Sequence, residues 1–136
     1  MRRNRRGVRL QADLHNILGA AFAARGTFDQ AIGEFREAVR LDSSNGQAHY
    51  NLAGLLLEGR QYEDAIGEFR AALRLMPNSD DAHDSLGIAL ASQGKLDEAI
   101  GEFQQALAVE PSSAEARRNL TTALQQRRPT ARTGTR

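Results

Sequence analysis

The sequence predicts an all-α fold, a right-handed solenoid of three helix–turn–helix repeats followed by a C-terminal capping helix. The first observation is an internal period, because the string Ala-Ile-Gly-Glu-Phe occurs at 31–35, 65–69 and 99–103, always offset by 34 residues. The second is that each period holds two stretches with apolar residues at three- and four-residue steps, the pattern of amphipathic helices. One such helix pair cannot bury both of its apolar faces, so stacked pairs are required for stability.

Turn and capping residues set the bounds of seven predicted helices. Gly26, Gly94 and the segment 58–60 interrupt the apolar pattern inside the repeats, and Pro77 and Pro111 stop the outgoing helices. Serines that precede the next apolar stretch suit helix N-caps. The predicted helices are 9–24, 28–40, 45–58, 62–74, 79–92, 96–108 and 113–127.

The repeated positions resemble those of the tetratricopeptide-repeat (TPR) family, whose motif reads Trp-x2-Leu-Gly-x2-Tyr, then Ala-x3-Phe, then Pro. The first repeat carries this pattern at His15, Leu18, Gly19, Phe22, Ala31 and Phe35. Further copies start at His49 and His83, and a fourth start at Arg117 is not followed by a second helix. The resemblance implies a TPR solenoid with repeats at about 12–45, 46–79 and 80–113 and a capping helix at 114–127.

Small residues and leucines give two packing expectations. Gly19, Ala53 and Gly87 are expected to face Ala31, Ala65 and Ala99 where paired helices cross, because small residues permit close approach there. In the capping helix, Leu120 and Leu124 are expected to face inward. The mid-helix glycines have no assigned role; they are Gly33, Gly67 and Gly101.

Charge is divided unevenly along the chain. The formal net charge is only +1, yet all 17 acidic residues lie between Asp13 and Glu115, while arginines concentrate at both ends. We therefore expect a basic N-terminal arm at 1–9, a TPR domain at 10–127 and a disordered basic tail at 128–136. The arginine-rich ends contain no interleaved aromatic residues, so nucleic acid is not the expected partner.

No catalytic residue, metal site or cofactor is predicted, and an enzyme is not expected. The chain has no cysteine, and its three histidines stand one repeat apart, too far to converge on one metal ion. We expect these histidines to pack between helices. The glutamates of the repeated string are interpreted as a solvated face; they are Glu34, Glu68 and Glu102. Neither a Ser/His/Asp arrangement nor a Gly-rich phosphate loop is found in the sequence.

The TPR resemblance implies a binding surface on the first helix of each pair, which lines a concave groove for partner peptides. The side chains beside the apolar stripe would point into this groove. At those positions the chain has Asp13, Asn16, Gln47, Tyr50, Asn51, Asp81, Asp84, Ser85, Arg118 and Asn119. TPRs that grip a C-terminal carboxylate need a lysine where this chain has Asp81, so that clamp is rejected. An asparagine ladder is matched only at Asn51 and Asn119.

We therefore expect a protein–protein interaction scaffold that binds a peptide or helix of a protein partner, with a neutral to basic segment favoured by Asp81 and Asp84. The alternative is a self-assembling module that stacks end to end through its terminal helices, so a homo-oligomer stays open. Apolar runs are too short for a membrane span. A cytoplasmic location is expected; export to the periplasm is the alternative, because Arg5-Arg6 resembles a twin-arginine pair.

Overall fold

The computed structural model describes residues 4–128, and the described chain consists of α-helices joined by short turns. The helices are α1 (Arg5–Ala24), α2 (Phe28–Leu41), α3 (Gly46–Glu58), α4 (Tyr62–Leu75), α5 (Asp80–Ser92), α6 (Leu96–Val109) and α7 (Ala114–Arg127). The predicted all-α class and its helix–turn–helix pairs are thus confirmed. The chain divides into two compact units, Met1–Pro77 with α1 to α4 and Asn78–Arg136 with α5 to α7. Most of the predicted basic tail lies outside the described residues.

Helix α1 begins at Arg5, so the predicted start at residue 9 was wrong. Helices α3, α5 and α7 each start after a capping residue whose side chain accepts a hydrogen bond from the backbone N–H three residues further on. These capping residues are Asn45, Ser79 and Ser113. The equivalent position in the first repeat is Gln11, which is a poor N-cap. The helix therefore continues back to Asn4, whose side chain accepts from the Gly7 N–H at 3.0 Å. Residues 5–9 of the predicted basic arm form the first turns of α1.

The turn inside each repeat places one residue in the left-handed backbone region. Gly26 and Gly94 have φ of +80° and +81°, and the second repeat has Arg60 at +62°. Gly59 keeps an ordinary φ of −81°. The second repeat therefore carries a side chain where the other two repeats avoid one, at a cost typical of non-glycine residues in this conformation.

In the first unit, α1 packs on α2, α2 on α3 and α3 on α4. Phe35, Leu52, Leu56 and Phe69 form the buried core. Tyr50 packs edge-on against Phe69, with ring centroids 5.9 Å apart. This contact fixes a side chain of the predicted groove on the core.

In the second unit, α5 packs on α6, and α7 packs on both. Leu86, Leu90 and Phe103 are buried. The expectation that Leu124 faces inward was wrong, because it is 39% exposed. The buried residues of α7 are Ala116 and Ala123, and Leu124 lies 100° around the helix from Ala123.

The glycines at the helix crossings lie under phenylalanine rings. A Cβ added to Gly19 would be 2.9 Å from Phe35, and one added to Gly87 would be 2.5 Å from Phe103. The close approach expected at these crossings is therefore present, but the expected neighbours were wrong, because the nearest atoms belong to phenylalanine rings and not to Ala31 and Ala99. The glycines of the repeated string are different, since an added Cβ would meet nothing within 4 Å at Gly33, Gly67 or Gly101.

Candidate functional site

The repeated histidines and glutamates form one hydrogen-bonded pair in each repeat. Nδ1 lies 2.5, 2.7 and 2.7 Å from a carboxylate oxygen in the pairs His15–Glu34, His49–Glu68 and His83–Glu102. Each pair joins the first helix of a repeat to the second. The interpretation of these glutamates as a solvated face was therefore wrong. The constant separation of 19 residues between partners was the signal that could have revealed the pairing.

These pairs are structural contacts within single repeats. In the second repeat, His49 Nε2 also donates to the Ser43 carbonyl at 3.0 Å, so this ring is held on both sides. Between residues 4 and 128, no group of three His, Cys, Asp or Glu side chains is placed to hold a metal ion.

The first unit contains an open cavity of about 570 Å³ beside α1 and α3. Its lining is mostly apolar and consists of Ala20, Ala23, Ala24, Phe28, Phe35, Tyr50, Asn51, Gly54, Leu55 and Glu58. Two predicted site residues, Tyr50 and Asn51, therefore meet here. Gln47 Nε2 donates to Asn51 Oδ1 at 3.0 Å and orients the asparagine amide. The small residues of α1 were not predicted, because alanines carry no polar group that would indicate a binding site in the sequence.

The remaining predicted residues of the first unit do not line this cavity. Asp13 is exposed, and Asn16 is half-buried. The side-chain oxygen Oδ1 of Asn16 is buried and has no hydrogen-bond partner among the described residues.

The second unit has an acidic cluster centred on Asp84. Asn119 Nδ2 donates to both Asp84 carboxylate oxygens, at 3.0 and 3.2 Å, across the α5–α7 contact. Burial raises the pKa of Asp84; the Asn119 hydrogen bond opposes this rise, while the negative charges of Glu115, Asp81 and Asp80 add to it. The ionised Asp84 therefore makes the folded state less stable, and this cost disappears as the pH falls through the raised pKa.

The other predicted residues of this unit differ in exposure. Asp81 and Arg118 are exposed, and Ser85 is half-buried. Asn119 also borders a cavity of about 260 Å³ lined by Ile88, Ala91, Ser92, Phe103, Asn119, Thr122, Ala123 and Gln126. The unit thus combines a carboxylate cluster with a small recess.

None of the helices described between residues 4 and 128 combines the length and hydrophobicity that crossing a membrane requires.

Family models match most of the chain. A model described as tetratricopeptide repeat matches residues 2–46 and 18–80, and one described as TPR repeat matches residues 89–126. The chain therefore belongs to the tetratricopeptide-repeat family, as its repeated positions predict.

The chain is also similar to one curated protein over part of its length. It is 31% identical over 61 residues to the Hsp70-Hsp90 organising protein of Plasmodium falciparum (isolate 3D7). The match covers 45% of this chain but only 11% of that protein, so this chain spans about a tenth of that relative.

Solved TPR structures share the fold. The first TPR of Spaghetti (RPAP3), bound to the HSP90 peptide SRMEEVD, is 23% identical with a TM-score of 0.83, covering 86% of this chain and 93% of that one. The second TPR domain of human RPAP3, in complex with the HSP70 peptide SGPTIEEVD, is 26% identical with a TM-score of 0.82, covering 86% and 98%. MamA is 23% identical with a TM-score of 0.82, covering 85% and 67%. These likenesses show a TPR solenoid fold.

Proposed function

We propose that this chain is a protein-interaction module of the cytoplasm, without enzymatic activity, that binds a peptide or helix of a protein partner. The observation that carries the proposal is the half-buried Asp84, which is desolvated and surrounded by like charges. Carboxylates in such surroundings lower folding stability and are concentrated at functional sites. A cationic group from a partner would relieve the repulsion and use the exposed Asp81 as a second contact.

The charge of this cluster favours a partner segment unlike the peptides in the similar structures. The peptides bound in two of those structures, SRMEEVD and SGPTIEEVD, both end in Glu-Glu-Val-Asp. An acidic C-terminus would be repelled by Asp81 and Asp84, and like charges across an interface disfavour a partner strongly. We therefore propose that this chain uses the shared fold for a lysine- or arginine-containing segment.

The cavity of the first unit suits an apolar side chain. Its walls include alanines, Gly54 and the ring of Tyr50, which the edge-on contact with Phe69 holds in place. Ligand sites of this kind combine apolar walls with a few polar groups. Asn51 can donate to and accept from a peptide backbone, and Glu58 at the rim can pair with a cation.

Selection from a displayed library of random short peptides tests the proposal. We expect the selected peptides to be enriched in Lys or Arg together with a large apolar residue, and we expect no binding of the peptide SRMEEVD. In titrations with a selected peptide, Asp81→Lys/Asp84→Lys should weaken the affinity by about tenfold or more. A tenfold change corresponds to a loss of about 1.4 kcal/mol in binding free energy.

Glu63→Lys is the matched control for Asp81→Lys, because both acids are exposed in the first turn of a helix and Glu63 lines neither cavity. This control should bind like the wild type. The single variant Asp81→Lys keeps the half-buried Asp84. A loss of binding in this variant is therefore not caused by unfolding around a lysine at position 84. Selected peptides with acidic C-termini, or equal losses in the control and the test variant, would refute the proposal.

A further inference from the structure

Helix α1 has a second apolar face that no described part of the chain covers. One side of α1 packs on α2, whereas Leu10, Leu14 and Ile17 are 59, 59 and 64% exposed. Together with Ala21 they follow steps of four, three and four residues, the spacing of a two-helix coiled-coil seam. At 100° per residue these side chains form one narrow stripe opposite the core-facing side.

The later repeats differ at the equivalent positions. Leu14 corresponds to Ala48, Ala82 and Ala116, each of which is exposed by 1% or less. Another TPR repeat docked on α1 in the usual way would meet a leucine where the family geometry buries an alanine. Overpacking of that kind is destabilising. The face is therefore shaped for a different helix contact.

Helix α7 does not offer a matching apolar face. Terminal repeats commonly carry a polar outer face, and the exposed side of α7 does so with Arg117, Arg118 and Thr121 around Leu124. Stacking α1 on the α7 of another copy would bury the apolar stripe against cationic side chains. Such a head-to-tail contact also leads to open-ended assembly.

We propose that the apolar face of α1 binds the same face of a second copy of this chain in an antiparallel pair. An isologous contact of this kind is self-complementary and closes at the dimer. In this direction Leu14 lies opposite Ile17 of the second copy, and Leu10 lies opposite Ala21 of the second copy. Each copy thereby covers the whole stripe of the other. The proposal does not depend on peptide recognition, since these residues lie outside the acidic cluster.

The charges along α1 determine the direction. The helix begins with three arginines, Arg5, Arg6 and Arg9, the last of which pairs with Asp42 of its own chain at 3.9 Å. Its C-terminal end carries a single arginine, Arg25, and is followed after a short turn by the exposed Asp29. A parallel pair would bring two sets of arginines and two positive helix N-termini together. An antiparallel pair brings the arginines of one copy to the negative end of the other α1 and to Asp29 of the second copy.

Size-exclusion chromatography with light scattering tests the pair. The wild type should have twice the chain mass of 14.9 kDa, and Leu14→Asp/Ile17→Asp should be monomeric with unchanged helical content. Leu124→Asp is the control, because it would disrupt stacking through α7 but should leave the α1 pair intact. A wild type that stays monomeric at every concentration tested, or a dimer lost in Leu124→Asp alone, would overturn the proposal.

Disulfide trapping tests the direction, because the natural chain has no cysteine. Leu10→Cys and Ala21→Cys should each fail to cross-link alone under mild oxidation and should form a covalent heterodimer when mixed. Cross-linking of Leu10→Cys with itself would show a parallel pair and overturn the antiparallel arrangement. Absence of any cross-link in the mixture would overturn it as well.

Discussion

In these repeats, equivalent side chains have neighbours that come close only in the folded chain. Gly67 and Gly87 are both mid-helix glycines in repeated positions, yet one faces open space and the other lies under Phe103. The sequence could predict the crossing at Gly87 from its motif position. It could not explain Gly67, because the position of a residue in the repeat does not show how far that residue lies from the neighbouring helices.

Alanine at these two glycines should therefore have opposite effects. Gly67→Ala should raise the free energy of unfolding by about 0.5–1 kcal/mol, because alanine loses less backbone entropy and contacts nothing. Gly87→Ala should lower it by about 1–3 kcal/mol, because its Cβ would lie 2.5 Å from the Phe103 ring. Urea midpoints of the two variants measure both effects. Shifts of the same sign would contradict this account.

The paired histidines and glutamates show a second limit at the residue scale. The sequence predicts that the histidines pack between helices. The glutamates lie opposite the apolar stripe of their helix, so the sequence alone predicts that they face solvent. Its pairing depends on the rotation of the second helix against the first, which the motif alone does not specify. The His49–Glu68 distance of 2.7 Å reveals it only in the folded repeat.

At the scale of helices and turns, the sequence predicts most bounds because caps and breakers are local signals. Starts after Asn45, Ser79 and Ser113 follow from side chains that bond their own helix. The start of α1 was missed because Asn4 lies outside the repeated pattern, although it caps in the same way. Position within a period is thus a weaker guide at the first repeat than local chemistry.

The left-handed turn residue gives a prediction at this scale. Arg60→Gly should raise the free energy of unfolding by about 1 kcal/mol, because it removes the steric cost of φ +62° in a non-glycine residue. Gly94→Ala should lower it, since it introduces the same cost at φ +81°. Thermal midpoints of both variants check this. A loss of stability in Arg60→Gly would show instead that the arginine side chain makes a contact that outweighs its backbone strain.

For the whole molecule, the repeat period predicts the fold class and the family, but specificity lies in residues that differ between repeats. Tyr50 and Asp84 occupy equivalent positions, yet one lines an apolar cavity and the other centres an acidic cluster. The sequence identifies both positions through the family pattern. It does not show that Asn119 bonds Asp84 or that small residues of α1 open a cavity, because both depend on contacts between helices.

The central claim is that a cationic partner segment binds at Asp84. The pH dependence of peptide affinity tests this claim most directly. Because the pKa of Asp84 is raised and a cation favours its ionised form, the affinity of a selected lysine-containing peptide should fall as the pH drops through that raised pKa. Asp84→Asn should bind more weakly at neutral pH, lack this step and be more stable than the wild type at neutral pH. A wild-type affinity that is independent of pH across the carboxylate range, or an Asp84→Asn variant that binds as tightly as the wild type, would contradict the account.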